Sequence, residues 1–170
     1  MTTIAYRDGV MASDSRASDL HYKHVTMCQK VFRLNSGALL GTAGDCDARA
    51  LMVMLDNVTN SESLPTRLEL KELEMSLEGL LVLPNKEVWQ IDIEWSEQEH
   101  EGFWDAQAWQ IEDDVAAVGS GAAFALGAMG HGADPIEAIR SAVRFDLFSC
   151  APLQCLTLGD GTTEPKRLKK

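Results

Sequence analysis

An Asp-Gly pair at positions 8 and 9 makes the start of this chain double back on itself. Thr3, Ile4 and Tyr6 precede the pair and Val10 to Ala12 follow it. Asp-Gly between two β-prone runs is the chemistry of a two-residue hairpin turn. A hairpin this early ties the amino end into a sheet, where most chains fray. A fixed amino end matters most when the first side chains have a chemical task.

The remaining elements read outward from that hairpin. A polar loop over Ser15 to His24 leads to a strand at Lys30 to Leu34. Asn35-Ser36-Gly37 form a turn, and Ala38 to Thr42 make an apolar strand ending at Ala43-Gly44. Leu51, Met54, Leu55 and Val58 recur at helical spacing. Leu70, Leu73 and Leu77 mark a second helix, opened at Pro65 and ended at Gly79. The apolar run before Pro84-Asn85-Lys86 and the run Glu87 to Ile93 after it predict a second hairpin. The acidic stretch from Glu94 to Gln110 holds Trp95, Trp104 and Trp109, which suit a strand, a packing role or a ligand-stacking role.

Beyond it come a short apolar strand, the turn Gly119-Ser120-Gly121, and a helix rich in small residues. Asp134, Pro135 and Glu137 open another helix as N-cap, first-turn proline and reciprocal cap, running towards Phe145 with Ile136, Ile139 and Val143 inward. A last strand follows Pro152, and residues 159–170 read as a frayed tail. Strands and helices therefore come in blocks. Blocks of this kind build an α+β domain of two sheets with helices outside, not an alternating dinucleotide-binding sheet. Neither GxGxxG nor GxxxxGK[ST] occurs. A length of 170 residues fits one domain over 1–170.

A formal net charge of -11 repels phosphate backbones and argues against a nucleic-acid partner. The basic end Lys166-Arg167-Leu168-Lys169-Lys170 reads as a solvated tail, or as a dock for an acidic partner. No apolar run is long enough to span a bilayer, and no signal peptide is evident, which predicts a cytoplasmic protein without a membrane partner. Cys28, Cys46, Cys150 and Cys155 form no CxxC pair. His21, His24, His100 and His131 form no metal motif; His21 and His24 read as loop residues.

Thr2 is the residue with chemical potential. A threonine hydroxyl alone is a poor nucleophile. Once Met1 is removed, as a small second residue permits, Thr2 carries a free α-amine that can act as the base for its own hydroxyl. That amine has a reference pKa of ~7.7–8.0, and a nearby lysine would hold it lower. The parts for such a site are present: Asp14 after the hairpin, Lys30 before a strand, and Gly44, whose N–H can face an oxyanion. Ser120 lies at a strand-to-helix turn, and Asp146 and Ser149 at a helix end. Read singly, each has an ordinary structural role. Thr2 suits a strand, Asp14 and Lys30 a surface ion pair, Ser120 a helix cap, Asp146 a partner of Arg144 or solvent, and Cys28 and Cys46 apolar packing.

Taken together, the pattern resembles the proteasome β-subunits and the HslV-like peptidases, which are N-terminal nucleophile hydrolases. The resemblance spans nearly the whole chain. It rests on Met1-Thr2-Thr3-Ile4, Asp14 shortly after Val10-Met11, Lys30-Val31, Ala43-Gly44, Gly119-Ser120-Gly121 and Asp146-x-x-Ser149. It implies a four-layer αββα sandwich of two antiparallel sheets flanked by helices. It implies a threonine-type endopeptidase that cleaves unfolded polypeptide inside a self-assembled homo-oligomeric ring, fed by an ATP-dependent unfoldase and needing no cofactor or metal.

By the same resemblance Thr2 is the nucleophile, Asp14 and Lys30 the charged pair that tunes it, and Gly44 the oxyanion donor. Ser120, Asp146 and Ser149 support the amine and the proton path. Ala17, Cys28, Phe32, Thr42 and Cys46 would line a small to medium apolar pocket for the substrate side chain. The chain departs from the family pattern at Asp45-Cys46-Asp47, at Cys150-Ala151-Pro152, and in the short, interrupted stretch from Asn57 to Leu68. A catalytically silent ring or scaffold protein with Met1 retained, and a small-molecule amidase of the same superfamily, are the competing readings.

Overall fold

The computed structural model describes residues 2–18, 25–44, 49–64, 77–98 and 101–168. The opening hairpin forms as the Asp-Gly step requires. Strands β1 (Thr3–Arg7) and β2 (Val10–Asp14) pair antiparallel, with Ile4 opposite Ser13 and Arg7 opposite Val10. Asp8 and Gly9 take φ of 51° and 82°, the left-handed pair that matches the twist of a tight hairpin.

Short strands β3 (Arg16–Ser18) and β4 (Val25–Met27) pair with each other where a polar loop was expected. Then come β5 (Val31–Arg33), β6 (Leu39–Gly44), helix α1 (Arg49–Leu55) and a 3-10 turn at Ser61–Ser63. Strands β7 (Leu77–Val82), β8 (Val88–Gln98), β9 (Glu101–Ile111) and β10 (Val115–Gly119) follow. Helices α2 (Ala122–Gly130) and α3 (Pro135–Phe145) precede β11 (Leu153–Thr157) and β12 (Lys166–Leu168).

Two five-stranded antiparallel sheets result, one ordered β10-β1-β2-β11-β12 and the other β5-β6-β7-β8-β9. Strand alternation sends successive side chains to opposite faces, so each sheet feeds two apolar layers. Between the sheets lie Ile4, Tyr6 and Met11 from one side and Leu39, Leu80 and Val82 from the other. Ala5, Ala12 and Leu153 pack outward against Ala125 and Met129 of α2 and Ala138 and Ile139 of α3. On the far side, Leu40, Leu81 and Ile91 pack against Leu51 and Leu55 of α1. The architecture is the four-layer αββα sandwich, with the N-terminal strand inside the first sheet. Asp134 caps α3 as its sequence predicts, accepting from the Glu137 N–H at 2.8 Å.

Two further expectations need correction, and the stretch after Glu94 takes one of its expected roles, a strand. Leu77 and Gly79 do not end a helix: both lie in β7, which pairs with β6 and β8. Leu70, Leu73 and the helix start at Pro65 lie outside the described residues. The stretch after Glu94 continues β8 and turns back as β9, which sets Trp95 opposite Trp104. The tail is not frayed throughout, because Lys166–Leu168 pairs with Leu153–Cys155. Among the described residues, no helix is long and apolar enough to cross a membrane.

Candidate active site

The first sheet delivers Thr2 and Thr3 to the point where its strands meet the ends of α2 and α3. Thr2 is 3% exposed and Thr3 fully buried. Thr3 pairs with Gly119 across β1 and β10. The Thr2 carbonyl accepts from the Ser120 N–H at 2.9 Å and from Ser120 Oγ at 3.4 Å. Gly119 has φ of +90°, and a Cβ there would lie 2.0 Å from the Thr2 carbonyl oxygen. Only glycine fits that approach. Its N–H donates to Glu78 Oε2 at 2.9 Å, a bond from β10 to the facing sheet.

Ser120 belongs to a hydroxyl–carboxylate chain. Its Oγ donates to Asp146 Oδ2 at 2.9 Å, and Ser149 Oγ donates to the same oxygen at 2.6 Å. Ser149 Oγ also lies 2.6 Å from Thr3 Oγ1. Partial burial pushes the Asp146 carboxyl up, but the hydrogen bonds from Ser149 and Ser120, with backbone donors at Phe148 and Ser149, outweigh it and hold the group below the usual aspartate value. Asp146 also closes α3, its own N–H donating to Ala142 O at 2.7 Å.

On the other side of Thr3 stands a buried ion pair. Asp14 Oδ1 accepts from the Thr3 N–H at 3.0 Å and from Lys30 Nζ at 2.9 Å. Asp14 Oδ2 accepts from the N–H groups of Arg16 at 3.1 Å and Cys150 at 3.2 Å. Lys30 Nζ also donates to Arg16 O at 2.5 Å. The surface-pair reading of Asp14 and Lys30 is therefore excluded: their side chains are 0% and 4% exposed. One carboxylate thus links the peptide nitrogen following Thr2 to a lysine ammonium.

Six of the seven expected catalytic positions fall into these two connected clusters. Gly44, the seventh, ends β6 as an exposed residue opposite Leu77. Its neighbour Ala43 comes within 3.3 Å of the position a Gly119 Cβ would take. Of the expected pocket residues, Ala17, Cys28 and Phe32 are half-buried and Thr42 is buried, while Cys46 lies outside the described residues. Thr42 touches the site through its backbone, its N–H donating to Lys30 O at 3.0 Å.

Sequence reasoning missed Thr3, Glu78 and Gln154. Gln154 is 3% exposed and accepts from the Lys30 N–H. A lone amide in the apolar run Leu153 to Leu158 was the available signal.

No family model matches the chain, and no curated protein matches it. Among solved structures, the chain is similar to Anbu (ancestral beta-subunit) from Yersinia bercovieri. The match has a TM-score of 0.57 at 12% identity and covers 100% of this chain and 87% of that one. An identity this low speaks for the fold alone. The two sheets, their flanking helices and this likeness together give the chain the αββα sandwich fold that the Anbu chain also has.

Proposed function

We propose that this chain is a threonine-type peptidase whose nucleophile is Thr2, exposed as the terminal residue by removal of Met1. The observation that carries the reading is the Asp14 carboxylate, which holds the Lys30 ammonium and the Thr3 N–H on one oxygen, 2.9 and 3.0 Å away. A cation there favours the unprotonated α-amine and the developing alkoxide of Thr2. The amine takes the hydroxyl proton as Oγ1 attacks the scissile carbonyl. The Gly44 N–H donates to the oxyanion of the tetrahedral intermediate. The proton then passes to the leaving amine, an ester remains on Thr2, and water releases the acyl product. Ser120, Asp146 and Ser149 hold the amine side of the site through the Thr2 carbonyl and Thr3 hydroxyl. Ala17, Cys28, Phe32, Thr42 and Cys46 receive the substrate side chain.

The substrate in this reading is unfolded polypeptide, cleaved within a chamber formed by copies of the chain and supplied by an ATP-dependent unfoldase. Self-association is supported by apolar side chains left in solvent on and beside the outer helices: Phe124 is 40% exposed, Phe145 59% and Leu147 84%. Copies with a net charge of -11 need such contacts to overcome mutual repulsion. The similar Anbu chain is itself described as a subunit.

The test is intact mass before and after treatment with a peptide epoxyketone, which needs both a hydroxyl and an amine on one residue. A chain beginning at Thr2 that gains one adduct, absent in Thr2→Ala, supports the peptidase. A mature chain that keeps Met1 and gains no adduct overturns it in favour of a silent ring protein. An adduct with hydrolysis of small amides but of no peptide points to the amidase reading.

A further inference from the structure

We propose that Gln154 is a positioning residue for Lys30. Residues 28–30 lie between β4 and β5, with the Cys28 N–H donating to Ser15 O at 3.0 Å at one end. Gln154 adds side-chain bonds to the same short segment. From β11 in the first sheet, its Oε1 accepts from the Lys30 N–H at 3.1 Å and its Nε2 donates to Cys28 O at 2.7 Å. The amide fits in one orientation only, because one partner is a donor and the other an acceptor. The bond to Lys30 is buried, with Gln154 and Lys30 each 3% exposed, and the bond to half-buried Cys28 is partly so. The Lys30 carbonyl is held from the other side by the Thr42 N–H at 3.0 Å.

The placement of Gln154 relative to Asp14 gives the clamp its purpose. In the β2–β11 register Leu153 faces Asp14 and Gln154 faces Ser13. One strand pair therefore carries both anchors of Lys30: Asp14 holds the ammonium and Gln154 holds the backbone. The span between those anchors is set by sheet register rather than by a loop. The consequence for catalysis rests on the peptidase reading above; the consequence for Lys30 itself does not.

The experiment uses the full assembled chain with Gln154→Leu, which removes both bonds. It also uses Gln154→Glu, which keeps the acceptor for Lys30 and loses the donor for Cys28. Reductive methylation with formaldehyde and cyanoborohydride, read by peptide mass spectrometry, reports access to the Lys30 ammonium, with exposed Lys86 as the internal reference. Gln154→Leu should methylate Lys30 at least about tenfold faster than the parent chain, as local opening exposes it. Peptide hydrolysis should lose about tenfold to a hundredfold in kcat, with KM within about twofold, because a misplaced group costs rate rather than binding.

Gln154→Glu should fall between parent and Gln154→Leu on both readouts, and it serves alone if Gln154→Leu does not fold. Parent-like protection of Lys30 in either folded variant overturns the clamp. Faster methylation with unchanged kcat upholds the clamp and removes Lys30 from the proposed chemistry. If the parent chain hydrolyses nothing, the methylation readout still decides the clamp.

Discussion

Asp14 and Lys30 meet at 2.9 Å with their side chains 0% and 4% exposed, so the pair is an interior feature of the fold. Removing one member strands a charge where water cannot reach it. Lys30→Ala should cost about 3–5 kcal/mol in urea unfolding, far more than a surface pair. The double change Asp14→Asn with Lys30→Met should cost less than the sum of the single changes. Additive single costs would show that the pair is not coupled.

Asp146 links acid stability to the hydroxyl network. Its folded pKa is lowered: burial raises it, and the bonds from Ser149 and Ser120 more than compensate. A depressed carboxyl contributes stability that is present above its unfolded value, about 3.9, and is lost as pH falls through the folded value. Asp146→Asn should therefore flatten the pH dependence of stability below about pH 4. Ser149→Ala should raise the Asp146 pKa, as followed by carboxyl carbon NMR. An unmoved Asp146 titration in Ser149→Ala would contradict the assigned cause.

Gly119 and Gly37 separate backbone strain from steric blockage. Both have positive φ, +90° and +88°, but an added Cβ at Gly37 meets nothing within 4 Å, while at Gly119 it meets the Thr2 carbonyl oxygen at 2.0 Å. Gly37→Ala should cost about 1 kcal/mol. Gly119→Ala should cost more, about 2–4 kcal/mol, and should also abolish the epoxyketone adduct on Thr2. Equal losses in the two variants would mean that Thr2 is not held against Gly119.

The exposed apolar side chains tell assembly apart from folding. Leu147 is 84% exposed, so Leu147→Asp should change the stability of the single chain by no more than about 0.5 kcal/mol. Paired with Phe145→Asp, it should drive the sedimenting species towards the 18.6 kDa of one chain. An unchanged assembly mass would place the contact between copies elsewhere.

Local chemistry made much of this fold legible. The Asp8-Gly9 turn, the Asp134 cap and the hairpin around Pro84-Asn85-Lys86 each depend on a few neighbouring residues, and all three appear as expected. β7 misled because it is buried on both faces: Leu77 and Leu81 face α1, while Leu80 and Val82 face the other sheet. A doubly buried strand has no alternation to show, and Leu70, Leu73 and Leu77 happen to keep helical spacing. β12 was hidden by its composition, since a charged edge strand reads like a solvated tail. At the candidate site, Asp14, Lys30, Ser120, Asp146 and Ser149 could be named in advance because they carry recognisable chemistry. Gln154 and Glu78 could not, because their partners are distant in sequence and are backbone groups that any residue possesses.

The Asp14 carboxylate binds donors from four separate places: Thr3, Arg16, Lys30 and Cys150. It is a keystone for β1, the start of β3, the approach to β5 and the turn after α3. A chain of this fold with no catalytic task at all would still be obliged to keep Asp14, because four backbone and side-chain donors converge on it. Across related sequences, persistence of that aspartate would record the demands of folding, whatever stands at position 2.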